Sequence, residues 1–370
     1  MHVFKRYQYI DSLRGIAILL VLVAHSAMFG KTGLPAWFAE TAAVDIGPRG
    51  VQLFFVVSAF TLSLSFLERK PQEKHYLRNF YLRRFFRIAP LFYLAIIFYI
   101  LLDFLLQHES FSLGNIATTF LFLNGFSPAW INNIVFGGWS IAVEFSFYVL
   151  FPLFFFYLRS IKRSLALLFF FMVTMQFLRL FLLTIPAIQN SPDAQTFTFQ
   201  FFPSQLPVFL MGITIFRIMH EKITSRSKLE ISIFLGLVGF LTIFQTPLSL
   251  KIIAGHYLYG LIFALLLLFL SKFPVKFLVN SFTVFMGKIS FSVYLWHSGI
   301  IYLLSFLGFF DLFPSFPFFN YFTRLFLVLV LSAALGSFTY EHIEKQGIIW
   351  GKQIIDNFED KSTTVSSLLK

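Results

Sequence analysis

Long apolar runs alternate with short polar stretches along the whole chain, and several runs exceed the roughly 18 residues that mark a membrane-spanning helix. The runs fall near residues 10–29, 48–67, 88–107, 138–158, 164–184, 202–219, 231–246, 252–270, 289–309 and 321–341, which predicts about ten spans. The expected fold is an all-α, polytopic integral-membrane bundle. No internal repeat, low-complexity linker or second soluble domain interrupts it. The expected organisation is a membrane domain over residues 1–345 and a short polar tail over 346–370. The first run has no small-residue cleavage site behind it, so it reads as a retained helix and not as a signal peptide.

Charge gives the spans a direction. Lys5 and Arg6 precede the first, and Arg69, Lys70, Lys74, Arg78, Arg83, Arg84 and Arg87 fill the loop after the second. Basic residues recur at Arg159, Lys162 and Arg163, then from Arg217 to Lys228, then at Lys272, Lys276 and Lys288, and finally in the tail. The intervening loops hold only Lys31, Arg49 and Lys251, with Arg324 at a span boundary, and 108–137 and 185–201 have no Lys or Arg. The positive-inside rule therefore places both termini in the cytoplasm.

Composition narrows the chemistry. Of 370 residues 58% are hydrophobic and only 12% charged, which excludes an ordinary soluble domain. The absence of cysteine removes disulfides, thiolate metal sites and a cysteine nucleophile. Neither a metal nor a nucleic-acid partner is expected. Chemistry is left to His, carboxylate, Ser, Tyr or Lys.

Polar residues inside the spans are the candidates, because burying a strong ion at mid-helix costs about 2.5–3.5 kcal/mol on insertion scales. Arg14 and His25 lie eleven residues apart in the first span, on one helical face and about 16 Å apart along the axis. Glu144 in the fourth span falls in the same outer half as His25, and a carboxylate orienting an imidazole is what a general base needs. A purely structural Glu–His pair fits the same residues. Arg83, Arg84 and Arg87 share a helical face and suit a polyphosphate, while membrane anchoring on anionic headgroups accounts for them equally. His297 in the ninth span is placed nearer mid-membrane, lining a pore or bonding across helices. Trp139 alone reads as an interfacial anchor. Asp103, Arg179 and His256 have no evident partner.

These stretches together resemble the membrane acyltransferase 3 family. The resemblance runs through Asp11-Ser12-Leu13-Arg14-Gly15 with His25, Gly50 to Ser58, Arg83 to Pro90, Trp139 to Glu144, Pro203 to Gly212, Gly287 to His297, and Tyr340 with Glu344-Lys345. It implies an O-acyltransferase that takes its acyl group from cytoplasmic acyl-CoA, with acetyl-CoA the leading donor. The implied acceptor is a hydroxyl of an extracytoplasmic cell-surface glycan or lipid-linked sugar, with membrane lipid around the bundle. His25 and Glu144 are implied as catalytic, and Arg14, Arg83, Arg84 and Arg87 as donor-binding. Gln52, Trp139, Ser140 and His297 are implied as substrate-binding. The chain departs from the family where Gln52, Ala59, Phe145 and Gln346 stand for Asp, Gly, Glu and Pro, which puts more weight on Glu144.

The implied mechanism threads the pantetheine arm between helices to His25, which deprotonates a sugar hydroxyl or is itself acylated first, with Glu144 stabilising the imidazolium. Two other classes fit the span count. A transporter or flippase of lipid-linked sugars would more often show paired repeats with broken helices. A polysaccharide polymerase would be expected to carry basic residues in a larger external loop. The acyl group, the acceptor hydroxyl and the oligomeric state are not legible.

Overall fold

In lipid every backbone polar group must be satisfied within the protein, so apolar runs of this length have to become helices. The computed structural model describes residues 7–29, 34–35, 37–38, 41, 49–106, 110–248 and 252–368, and among these there are helices and no strands. Lys5, Arg6, Lys31, Lys251 and Lys370 lie outside the described residues.

The helices that matter for function are α1 (Gln8–Met28), α2 (Gly50–Arg69), α3 (Tyr76–Leu106), α4 (Leu113–Phe120), α5 (Gly138–Tyr157), α6 (Ile161–Leu182) and α7 (Pro192–Gln200). They are followed by α8 (Phe202–His220), α9 (Ser225–Leu248), α10 (Gly255–Lys272), α11 (Ser281–Lys288), α12 (Ser290–Phe306), α13 (Pro317–Thr339) and α14 (Lys345–Leu368). Eight helices of the described chain are long and apolar enough to cross a membrane, and nine if α11 and α12 count as one broken span. The seventh expected span, near 231–246, is covered by α9. Wide phenylalanine surfaces such as Phe104, Phe181 and Phe326 face outward, as a lipid-contacting surface requires.

Three features set the site. First, α11 and α12 meet at a bend of 77° around Ile289, where a straight ninth span was expected. Asn280 and Thr283 form a capping box that starts α11. That short helix lies against α1 so closely that a Cβ on Gly15 would strike the Thr283 carbonyl, and one on Gly287 the Asp11 carbonyl. The Thr283 hydroxyl also donates to Ser12 Oγ at 3.1 Å. Glycine at both positions thus lets the Asp11–Gly15 and Gly287–His297 stretches pack as one unit.

Second, the last span continues without a break into the tail. A helix runs from Pro317 to Glu359, through a π-helical turn at Tyr340–Glu344, so the boundary expected at 346 lies inside it. Its far end packs on α3. Glu359 accepts from the backbone N–H groups of Lys74 and His75, from Asn79 Nδ2 at 2.9 Å and from Arg78 at 3.3 Å.

Third, the segment between α3 and α5 is built and not a bare loop. It carries α4, and Asn115 Nδ2 donates to Asn133 Oδ1 at 2.6 Å. Asn124 Nδ2 reaches the carbonyl of Ile131 at 3.2 Å.

Candidate active site

The bundle has a basic end and a histidine end, and each holds a cavity. At the basic end Arg14, Arg84 and Arg87 line a narrow space of about 70 Å³ with Ser58, Thr61, Glu144, Tyr148 and Ser290. Helix α1 supplies Arg14, α3 the two neighbouring arginines three residues apart, and α5 Glu144. Arg14 donates to Thr61 Oγ1 at 3.2 Å and sits 3.9 Å from Asp11. Arg84 Nε is a buried donor without a hydrogen-bond partner.

Arg83 is not part of this lining. Its two terminal nitrogens fork onto the Glu73 carboxylate at 2.7 and 3.0 Å, so the donor face expected to hold phosphate is already filled. Sequence spacing put Arg83 beside Arg87, but the hairpin before α3 carries a carboxylate to it.

The expected Glu144–His25 pair is also absent. Glu144 Oε1 accepts from Ser58 at 2.5 Å and from Tyr148, one helical turn on, at 2.6 Å. This carboxylate therefore belongs to the guanidinium cavity. It offsets the positive charge of Arg14, Arg84 and Arg87 in a region where unpaired ions are costly.

His25 pairs instead with His297. Their Nδ1 and Nε2 atoms stand 2.7 Å apart, with the rings within 7° of parallel and centroids 4.9 Å apart. At 2.7 Å the nitrogens are closer than the thickness of stacked rings allows, so the imidazoles meet edge to edge in nearly one plane. His297 is fully buried and level with His25, not below it as the sequence had placed it.

The proton positions follow from one carbonyl. His297 Nδ1 lies 2.6 Å from the backbone oxygen of Tyr294, so Nδ1 carries the proton and donates. Its Nε2 is then an acceptor, taking the His25 Nδ1–H and the Ser298 hydroxyl at 3.1 Å. That leaves His25 Nε2 with its lone pair, as a general base requires. A backbone carbonyl and a second imidazole thus do what an orienting carboxylate does in other sites.

His25 lines a chamber of about 450 Å³ together with Arg49, Asn132, Phe136, Trp139, Gln200 and Tyr294. Trp139 is therefore a chamber wall. Gln52 is not: it is fully buried and donates to Gln205 at 3.2 Å, tying α2 to α8.

Tyr294 and Val51 line both spaces. The Tyr294 hydroxyl donates to the Gly137 carbonyl at 3.0 Å and accepts from Ser140 at 2.8 Å. Gly137 has φ +77°, a left-handed conformation natural to glycine, and a Cβ there would sit 2.9 Å from that hydroxyl. Ser140 thus braces the ring that lines both cavities.

Of the lone polar residues, His256 bonds the Ser204 carbonyl at 3.1 Å, and Asp103 lines a separate cavity at the histidine end. Sequence reading did not single out Tyr148, Ser58 or Tyr294, although Tyr148 stands one turn from Glu144.

Apolar helices that bury guanidiniums at one end and a linked imidazole pair at the other define a polytopic membrane protein with chemistry inside its spans. Residues 7–341 match the family model for the acyltransferase domain of the membrane acyltransferase 3 family, and the chain belongs to that family. It is a multi-pass membrane acyltransferase. No curated protein and no solved structure matches it.

Proposed function

We propose that the protein moves an acyl group, acetyl being the first to test, from cytoplasmic acyl-CoA to a hydroxyl of an extracytoplasmic cell-surface glycan. Both termini and the basic end then face the cytoplasm of a bacterial cell, and the histidine end faces out. The observation that carries this reading is the pair of cavities that meet at Tyr294, guanidiniums on one side and His25 on the other. A narrow inner space suits the thin pantetheine arm more than the nucleotide, whose phosphates would stay near Arg84 and Arg87. The axial distance from Arg14 to His25 is about 16 Å, the span the arm has to cover.

In the reaction, His25 Nε2 takes the proton of the acceptor hydroxyl as its oxygen attacks the thioester carbonyl. The C–S bond breaks, and the proton passes from His25 to the departing thiolate, giving the ester and free CoA. Base assistance of this kind is worth about 10²–10⁴ in rate. His297 shares the charge of the imidazolium while it lasts. The broken span at α11 and α12 is a feature a transporter can share, but the family match over residues 7–341 supports the acyltransferase reading.

Two measurements test the proposal. Titrating detergent-purified protein with acetyl-CoA should give saturable binding that Arg84→Ala weakens. Surface glycan from a deletion strain should be lighter than the parent's by whole acyl groups. Identical glycan masses would sink the acceptor assignment, and no binding of any acyl-CoA would sink the donor assignment.

A further inference from the structure

A second outer cavity, of about 340 Å³, takes no part in the reaction as written. It lies between the ends of α3 and α12 and the segment that follows α4, and Asn132 and Phe136 form the wall it shares with the His25 chamber. Phe136 stands edge-on to both His25 and Phe29, at 5.4 and 5.5 Å between centroids. Ser298, which bonds His297, opens onto the second cavity, so this space is two hydrogen bonds from the proposed base.

Its lining has a definite chemistry. Asp103, Asn133, Tyr302 and Ser305 supply a carboxylate, an amide and hydroxyls, while Phe111 and Phe136 supply aromatic faces. No Lys, Arg or His is in the described lining, to which Asp103 brings a carboxylate. Carboxylate and amide groups beside aromatic faces suit a neutral polyhydroxylated ring, whose hydroxyls donate and accept while its C–H face packs on an aromatic. The volume is that of a small-ligand pocket.

We infer that this cavity is a saccharide subsite that holds the acceptor unit next to the one acylated in the His25 chamber. The inference rests on the proposed acylation of a glycan. Asp103 and Asn133 hold the neighbouring unit by its hydroxyls, Phe136 divides the two units, and the enzyme selects a glycan over a free sugar by filling both spaces at once.

The test uses surface glycan from a strain lacking the protein, cleaved to single units, two-unit fragments and longer pieces, with radiolabelled acetyl-CoA as donor. The natural protein should prefer two-unit fragments to single units by at least tenfold in kcat/KM. Asp103→Asn and Asn133→Ala should each cut that preference severalfold, and together bring it near one, mainly through KM. Tyr302→Phe is a milder variant that should lower it partway. Unchanged acetyl-CoA affinity, read at the opposite end of the bundle, shows that each variant is folded.

Equal use of single and two-unit acceptors by the natural protein would overturn the subsite and leave glycan acylation standing. So would a preference that survives the double variant. Failure to label any glycan fragment by a protein that binds acetyl-CoA would overturn the subsite together with the acceptor class it rests on.

Discussion

Ser140 donates to the hydroxyl of Tyr294 at 2.8 Å, and with the Gly137 carbonyl it pins that ring between the two cavities. On the proposed mechanism a donor arm passing from Arg14 toward His25 runs past this ring, which lines both cavities. The bonds that hold it are each worth about 0.5–1.5 kcal/mol, weak enough to break on binding. Tyr294→Phe should loosen the partition while keeping its bulk. Without acceptor, the variant should hydrolyse acyl-CoA severalfold faster than the natural protein, followed as free thiol. An unchanged rate would make Tyr294 a brace and not a barrier.

The imidazole pair makes a sharper forecast. His25→Ala should abolish transfer and leave acetyl-CoA binding intact, because the base acts on the acceptor. His297→Ala should cost about a hundredfold in kcat, since it removes the group that fixes the His25 tautomer. His297→Gln, which can still accept the His25 N–H, should recover part of the loss. The double variant His25→Ala/His297→Ala should be little worse than His25→Ala alone, as expected of groups acting as a unit. Near-parental glycan modification by His25→Ala would refute the mechanism.

Among the basic residues the forecast is unequal. Arg84→Ala and Arg87→Ala should each weaken acetyl-CoA binding by about 1.5–3 kcal/mol, roughly tenfold to a hundredfold. Arg83→Ala should leave donor affinity unchanged and lower thermal stability, because its partner is Glu73. Calorimetric titration of the three variants separates a donor site from general membrane anchoring.

Glu144→Gln distinguishes the two placements of that carboxylate. If Glu144 belongs to the guanidinium cavity, the variant should change the Kd for acetyl-CoA and leave the pH dependence of kcat at saturating donor where it was. A displaced pH profile with unchanged Kd would restore Glu144 as the partner of His25.

Orientation is tested directly. A reporter fused after Lys228 should read cytoplasmic and one placed at Ser191 external. The reverse pair of signals would invert the bundle and exchange the donor and acceptor ends.

Much of this architecture was legible in residue order. Apolar runs predict the helical bundle, Arg14 stands out as a costly ion within a span, and the spacing of Arg84 and Arg87 puts them side by side, as they are in the guanidinium cavity. The pairings were not legible. His297 reads as mid-membrane when its height is counted from Ile289 as the cytoplasmic edge of a span, whereas Ile289 is itself buried and the preceding Gly287 packs inside the bundle against Asp11. The Glu144–His25 pairing rests on shared depth and on the resemblance, and neither says which side of α2 a side chain faces; the Ser58 hydroxyl decides it. Arg83 fell to a loop carboxylate ten residues earlier, a contact made by the fold of the hairpin and not by helical spacing.

The helix running from Pro317 to Glu359 touches both ends of the reaction path. Near its start Arg324 donates to the carbonyl of Phe29, just past His25, and at its far end Glu359 grips the first turn of the helix that carries Arg84 and Arg87. On the proposed mechanism it is a strut that fixes the stride between the place where a donor is gripped and the place where its acyl carbon is delivered. A longer acyl chain therefore gains no room along the path. On that mechanism it has to find room sideways, past the walls of the His25 chamber, which places the choice of acyl group in those walls.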